Sequence, residues 1–301
     1  VGSGVRVTGG LVVYYDFSEG TGEIVHDVGG VGVPLDLVIL DRDKARWLPG
    51  ANGVEFVDAG TAIRSRSGAA KIHDALTASN QFTVEAWIAP SDLDGSDPPR
   101  RIVAFSAGTW KHQVNLHLGH DGPDGVFRVR TTCDYYISAS TPQVFTGTGR
   151  PTHLVASYDG STMRTVVDGV ARETFDGFDG TFGNWDPDYP LVIGNEATLT
   201  RSFLGTIMLV AVYDRALSAQ EVKTIFQRSG APIVNAIVAL TLRPPQGGWK
   251  SIPLPFFAGI LLAVIGASLV TLYKPTPGAA APPTAQGAAQ ATEALGEPAN
   301  E

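Results

Sequence analysis

Two carboxylates on one face of a strand would mark a glycosidase, and this sequence lacks such a pair where strands are expected. A retaining glycosidase holds its nucleophile and its acid about 5 Å apart. Glu85 is the only acid in the strand-like segment FTVEAWIAP. Glu173 and Asp176 are three residues apart, and a strand turns residues at this spacing to opposite faces. The spacing therefore predicts no glycosidase site.

Other catalytic motifs are also missing from the sequence. It contains no Gly-x-Ser-x-Gly, no His-Glu-x-x-His and no phosphate-binding glycine loop. Cys133 is the single cysteine, so the chain forms neither an internal disulfide nor a thiolate metal cluster. We therefore expect a protein without catalytic activity.

Aromatic residues in polar, glycine-rich segments are the best candidates for ligand binding. A flat ring packs against a sugar or a protein surface while its polar edge stays in water. Four residues have this character: Trp110, His112, Tyr135 and Trp185. The alternative is that they are isolated surface aromatics, which need no functional explanation.

The elements that must position these residues are mostly strands. The segment THLVASYDGSTMRTVVDGVARET, residues 152–174, alternates in the period of a pleated strand and is broken twice by Asp-Gly. Asp-Gly between strands is a strong hairpin signal, because glycine accepts a positive φ. The pattern predicts a meander of three antiparallel strands that needs an opposing sheet to bury its apolar face.

Two further elements follow from local patterns. Phe82–Ile88 predicts a central strand with Val84, Ala86 and Ile88 on one face and Trp87 packed on the other. Ser218 and Glu221 form a capping box, which predicts a short helix that ends near Arg228.

These segments resemble the laminin G-like (concanavalin A-like) jelly-roll family. The meander is similar to that family's HHVAATYDGSTLRLYVDG run, and FTVEAWIAP is similar to its FTVEAWVKP strand. Three more segments are similar in the same order: GLVVYYDFSEGTG, LVIGN and GTIMLVAVYDRALSAQEV. The resemblance covers roughly residues 10–230, and it implies an all-β, two-sheet antiparallel jelly-roll sandwich as a domain over residues 1–230.

The resemblance also implies a possible Ca²⁺ site, because many members of the family hold Ca²⁺ at the sandwich edge with carboxylates and carbonyls. Asp16 and Asp27 are the possible ligands. The family's early loop often reads DSSGNG, whereas this sequence has Asp27-Val28-Gly29-Gly30, and Met208-Leu209 replaces an acidic pair in the closing strand. The alternative is that both aspartates are turn residues that accept hydrogen bonds from nearby N–H groups.

The net charge of the chain bears on whether it binds nucleic acid. The formal net charge is −8 and the sequence contains no basic run. We therefore expect no nucleic-acid ligand, since nucleic-acid binding requires a basic surface.

The C-terminal part changes character. Residues 231–251 read as a linker, and residues 252–273 (IPLPFFAGILLAVIGASLVTLY) form an uncharged stretch of 22 residues, long enough for a transmembrane helix. Residues 274–301 are rich in Ala and Pro and are expected to be disordered. Small residues recur along the apolar stretch at Gly259, Ala263, Gly266 and Ala267, a spacing that lets membrane helices approach closely.

The orientation of the predicted single-pass protein rests on two opposing arguments. Arg243 and Lys250 precede the apolar stretch and only Lys274 follows it, a bias that alone would place the sandwich in the cytoplasm. The resemblance instead implies a periplasmic or cell-surface sandwich with a cytoplasmic tail, and we follow it.

Two functions from different classes remain. In the first, the chain is a membrane-anchored recognition module that binds a glycan or a protein. In the second, it is a non-catalytic accessory subunit: its helix packs against integral membrane proteins and its sandwich braces extrinsic subunits of a larger complex. The small-residue spacing and the weakened calcium signature favour the second.

Overall fold

A computed structural model describes residues 6–49, 52–94, 98–133 and 137–228. All of these belong to one compact unit. The described part contains the strands β1 Leu11–Tyr15, β2 Ile24–Val25, β3 Leu37–Ile39, β4 Ala45–Trp47, β5 Val54–Phe56, β6 Ile63–Ser65, β7 Phe82–Pro90, β8 Arg100–Ser106, β9 Val114–Asp121, β10 Asp124–Val129, β11 Ile137–Thr141, β12 Thr152–Tyr158, β13 Met163–Val167, β14 Val170–Phe175, β15 Leu191–Ile193 and β16 Gly205–Tyr213. It also contains the helices α1 Ala70–Ser79 and α2 Ala219–Arg228, and a 3-10 turn Lys111–Gln113.

The strands form two antiparallel sheets of eight strands each. The first sheet has the order β14-β13-β12-β7-β16-β5-β4, with β1 also paired to β16. The second has the order β11-β10-β9-β8-β15-β6-β3-β2. Neighbours in space are often distant in sequence, as in the pairing of β7 with β16. The all-β two-sheet sandwich expected from the sequence is thus confirmed, and it fits a jelly roll.

The main core lies between the two sheets. The alternation in the central strand β7 predicts that one of its two faces enters this core, and the structure shows that it is the face with Val84, Ala86 and Ile88. Phe82 begins an aromatic group at one end of it, with ring centroids 5.7 Å from both Tyr158 and Phe182. Alternation along a strand therefore decides which residues fill the sandwich.

The predicted meander is confirmed as β12, β13 and β14. Asp168 and Gly169 join β13 to β14 with φ of 51° and 74°. Positive φ at both central residues is what a tight type I′ hairpin requires. At the earlier turn, the Asp159 carboxylate accepts hydrogen bonds from the backbone of Ser161 and Thr162.

A second apolar layer covers the outer face of the first sheet. Here α2 packs Val222, Ile225 and Phe226 onto a cluster that includes the fully buried Trp87. The predicted capping box is present, because the Glu221 carboxylate accepts from the Ser218 backbone at 2.9 Å. The central strand β7 is therefore buried on both faces.

In the residues described here, no helix is long and apolar enough to cross a membrane. The predicted linker (231–251), transmembrane helix (252–273) and tail (274–301) lie outside the described residues. So do Gly259, Ala263, Gly266 and Ala267, and their predicted roles remain predictions.

Candidate functional site

The most exposed aromatic side chain of the described part is at the connection between β8 and β9. Trp110 is 71% exposed, far more than any other described tryptophan. It directly precedes the 3-10 turn, and the side chains of Lys111 and His112 are exposed beside it. Two of the predicted binding residues, Trp110 and His112, are therefore brought together on the surface.

Hydrogen bonds from three directions fix the backbone of this turn. The His112 carbonyl accepts from Arg130 Nη1 at 2.5 Å and from the Tyr189 hydroxyl at 3.0 Å. The Gln113 carbonyl accepts from the Ala107 backbone at 2.9 Å. Arg130 is itself held by Asn115 Oδ1, which accepts from Nη2 at 2.7 Å. The turn that carries Trp110 is consequently set by the sheet beneath it, and we name Trp110–Gln113 with Tyr189 the Trp110 turn.

Trp185 is buried, contrary to the exposed loop position that its sequence surroundings predict. Its side chain is 5% exposed, its ring stacks on Phe182 with centroids 4.3 Å apart, and its Nε1 donates to the Arg130 carbonyl at 2.6 Å. The segment that carries it folds back over the end of the sandwich, where the Phe182 backbone donates to Asn80 Oδ1. Trp185 is a core residue, and Tyr135 lies outside the described residues.

The possible calcium ligands have backbone partners. The buried Asp27 carboxylate accepts from the backbone N–H groups of Tyr14, Gly29 and Leu35 at 3.0–3.1 Å and from Lys71 Nζ at 2.6 Å. Asp16 accepts from the Ser18 backbone. These contacts are those expected if both aspartates are turn residues that accept hydrogen bonds from nearby N–H groups. Within the described ranges, no three His, Cys, Asp or Glu residues form a group able to hold a metal ion, so Ca²⁺ binding stays a prediction without a ligand set.

A buried charged cluster lies beneath α2, and no local pattern in the sequence indicates it. Glu85 has no exposed surface; it pairs with Arg6 and accepts from His153 Nε2 at 3.1 Å. Burial raises the pKa of Glu85, but the Arg6 guanidinium and the hydrogen bond from His153 outweigh it, so the pKa lies below its usual value. Alternation places Glu85 and His153 on the outer faces of neighbouring strands, yet nothing local shows that α2 covers them.

A second buried carboxylate, that of Glu196, follows β15 of the other sheet. Glu196 accepts from Ser106 Oγ, from the Ala197 backbone and from Arg101. Burial raises its pKa above the ordinary value. Nearby, His117 is fully buried, and neither of its ring nitrogens has a hydrogen-bond partner among the described residues. Glu85 and Glu196 are thus both engaged in internal contacts and face no open surface.

Comparison with known proteins agrees with this architecture. Residues 64–223 match a laminin G-type family described as the concanavalin A-like lectin/glucanases superfamily. The match covers more than half of the chain, and the chain therefore belongs to this family. No curated protein sequence matches the chain.

Several solved structures share the fold. Trypanosoma rangeli sialidase is similar with a TM-score of 0.54 at 19% identity, over 74% of this chain and 33% of that one. The binding domain of botulinum neurotoxin DC, solved in complex with rat synaptotagmin II, is similar with a TM-score of 0.55 at 8% identity, over 74% of this chain and 52% of that one. The chain thus spans between a third and about half of these structures, and at such identities the likeness is one of fold.

Proposed function

We propose that this chain is a non-catalytic, membrane-anchored recognition module that binds a glycan through the Trp110 turn. The observation that carries the proposal is the 71% exposure of Trp110 on a turn fixed by Arg130 and Tyr189. An indole ring held in the open costs free energy in water, and it is the group that packs best on the apolar face of a sugar ring.

The fixed backbone of the Trp110 turn keeps the indole ring exposed and also favours ligand binding. A loop that is ordered before its ligand arrives loses little conformational entropy on association, so weak stacking and hydrogen bonding suffice for measurable affinity. His112 and Lys111 flank the ring with polar groups suited to sugar hydroxyls. The internal contacts of Glu85 and Glu196 support the absence of catalysis, because most glycosidases need two carboxyl groups that reach the substrate.

The test is a glycan array probed with the full chain in detergent micelles. We expect binding to a subset of glycans, and Trp110→Ala should weaken that binding at least about tenfold, as loss of a central aromatic anchor does. Trp110→Phe should retain part of it. The matched control is Val170→Ala, which removes an apolar side chain that is 62% exposed on β14. Equal binding by the wild type and Trp110→Ala would refute the role of the turn.

A second function is favoured by a separate observation, the spacing of Gly259, Ala263, Gly266 and Ala267 in the apolar stretch. We propose as the alternative that the chain is an accessory subunit whose helix packs against integral membrane proteins. Mild-detergent extraction from native membranes, size separation and mass spectrometry would then recover stable co-migrating proteins.

The matched pair for that experiment lies within the same stretch. Gly259→Leu with Ala263→Leu should abolish co-migration, because the larger side chains separate the helix backbones. Ser268→Leu, on the opposite side of an ideal helix, should leave it intact. Migration of the wild-type chain alone would refute the accessory-subunit function and leave the recognition module.

A further inference from the structure

The connection between β2 and β3 presents an unusual apolar surface. Val28, Val31 and Val33 are exposed by 46%, 45% and 83%. Among the described residues only seven large apolar side chains are exposed, and three of them are on this one connection. We name residues Val28–Pro34 the valine loop. Apolar residues exposed singly need no explanation, whereas three on one short connection call for one.

The base of the valine loop is fixed. Asp27 accepts from the backbone of Gly29 at one end of the loop and from Leu35 at the other, so one carboxylate ties both ends together. Lys71 pairs with the same carboxylate and balances its charge. The buried Asp27 therefore holds the loop in a defined shape, and the valines do not fold back onto the sandwich.

The tip of the loop is convex. Gly30 and Gly32 have positive φ values of 69° and 57°, and apart from adjoining residues no heavy atom of the described part lies within 4 Å of where a Cβ would stand on either. From Val28 to Leu35 the sequence contains no charged side chain. The tip is thus a small apolar protrusion surrounded by water, and it fits a deformable or flat apolar layer better than it fits a ligand.

The rest of the chain indicates what covers this protrusion. After Arg228, 23 residues (229–251) lead to the uncharged stretch 252–273. A segment of that length reaches at most about 80 Å when extended, so the sandwich stays near any bilayer that holds the apolar stretch. A tether raises the effective concentration of the bilayer at the loop, so even a weak contact is occupied.

We propose that the valine loop inserts into the headgroup–acyl boundary of the bilayer that anchors the chain, and thereby orients the sandwich on the membrane. This inference rests on the proposed membrane attachment. The contact is apolar, since the chain is acidic overall with a net charge of −8 and is not drawn to anionic lipids. The exposed backbone of Gly30 and Gly32 needs water, which limits the loop to the boundary region.

The experiment uses the full chain in phosphatidylcholine vesicles. Cys133, which is exposed, is replaced by Ser so that a single introduced cysteine carries an environment-sensitive fluorophore. The label is placed by Val33→Cys or, as the matched control, by Val170→Cys. Val170 is on β14, an edge strand of the first sheet, whereas β2 and β3 are at an edge of the second sheet. We expect a blue shift of the Val33→Cys label and quenching by nitroxide lipids, with neither change for Val170→Cys.

Each other outcome overturns the inference in a different way. If the chain does not float with the vesicles, the proposed membrane attachment fails together with the inference. If it floats and the two labels respond alike, the inference alone fails. If the Val33→Cys label is shielded in native membranes but not in vesicles of pure lipid, a protein covers the loop and the lipid contact is refuted. Circular dichroism of both labelled variants verifies that each is folded.

Discussion

At the scale of single residues, substitutions in the buried cluster beneath α2 are expected to lower the stability of the protein most. Glu85 and its two partners lie in a region that is otherwise apolar, with Trp87 stacked on Phe226 at 5.7 Å. A buried carboxylate is tolerated only when its charge is matched and its oxygens accept hydrogen bonds. Removing one partner leaves the other charge without compensation.

We therefore predict that Glu85→Gln lowers the free energy of unfolding by about 3–5 kcal/mol, the usual cost of breaking a buried ion pair. Urea denaturation followed by tryptophan fluorescence measures it. The double variant Arg6→Gln, Glu85→Gln should be more stable than Glu85→Gln alone, because it leaves no unpaired charge. Equal stability of Glu85→Gln and the wild type would show that the cluster does not hold the sheet.

The burial of His117 leads us to predict that the stability of the protein depends on pH. Burial, followed by the nearby Arg101, lowers the pKa of His117 well below its ordinary value. The unfolded chain takes up a proton below pH of about 6.5 while the folded chain does not, so stability falls as the pH drops from that point, by up to about 2 kcal/mol at pH 5. His117→Leu removes this loss, and its stability should depend less on pH than that of the wild type.

The control for this effect is His112→Leu, which changes an exposed histidine on the Trp110 turn. Its unfolding free energy should follow the wild-type pH profile. Denaturation series at pH 8 and pH 5 are sufficient, and a wild-type slope retained in His117→Leu would contradict the assignment.

Residue-level predictions from the sequence succeeded where local alternation decides burial and failed where distant contacts do. The packing of Trp87 follows from its place in a strand. Trp185 stands among glycine and aspartate, a pattern typical of an exposed loop, and its burial depends on bonds to residues far away in sequence, such as Asn80. The sequence shows Glu85 as an isolated acid, but its partners Arg6 and His153 come from two other segments.

At the scale of elements, the β13–β14 hairpin and α2 depend on each other. A Cβ on Gly169 would stand 2.8 Å from the Phe226 ring, in addition to adopting a φ of 74°. The glycine therefore serves the turn and also lets the helix approach the sheet. This contact joins an element at one edge of the sheet to the last described helix.

We predict that Gly169→Ala destabilises the protein more than Gly177→Ala. Both positions have positive φ, at 74° and 84°, and so both variants carry the backbone strain of about 1–2 kcal/mol. Only Gly169→Ala adds a clash, since apart from adjoining residues nothing in the described part lies within 4 Å of a Cβ on Gly177. Thermal unfolding of the two variants side by side gives the difference, and equal losses would show that α2 does not press on the hairpin.

Elements were the most predictable level. The Asp-Gly turns, the strand periods and the capping box are all local signals, and the structure contains the corresponding strands and α2. The docking of α2 onto the outer face of the sheet was not predictable, because it depends on where Phe226 meets Trp87 and His153 after the strands have assembled.

At the scale of the whole molecule, the fold class followed from strand alternation together with five family-like segments in order. The order of strands within each sheet could not be derived in this way, since β7 pairs with β16 across more than a hundred residues and no local property encodes that pairing. The same holds for the Trp110 turn: a tryptophan in a loop is visible in sequence, but its fixation by Arg130 and Tyr189 is not.

Membrane attachment divides into two contributions that a truncation can separate. The three valines of the valine loop together expose less than two full valine side chains. Complete burial of that surface contributes at most about 3–5 kcal/mol, which corresponds to a dissociation constant near the millimolar range. The apolar stretch 252–273, by contrast, inserts effectively irreversibly if it spans the bilayer.

We accordingly predict that a chain ending at Arg243, the boundary of the compact unit, remains in the aqueous fraction when phosphatidylcholine vesicles are floated, whereas the full chain floats with them. The truncated chain should unfold at the same temperature as the full chain in micelles, because the described core lies entirely before that point. Flotation of the truncated chain would mean that the surface of the sandwich binds lipid strongly by itself. In that case the valine loop would be the principal attachment, and Val33→Asp should then release the truncated chain.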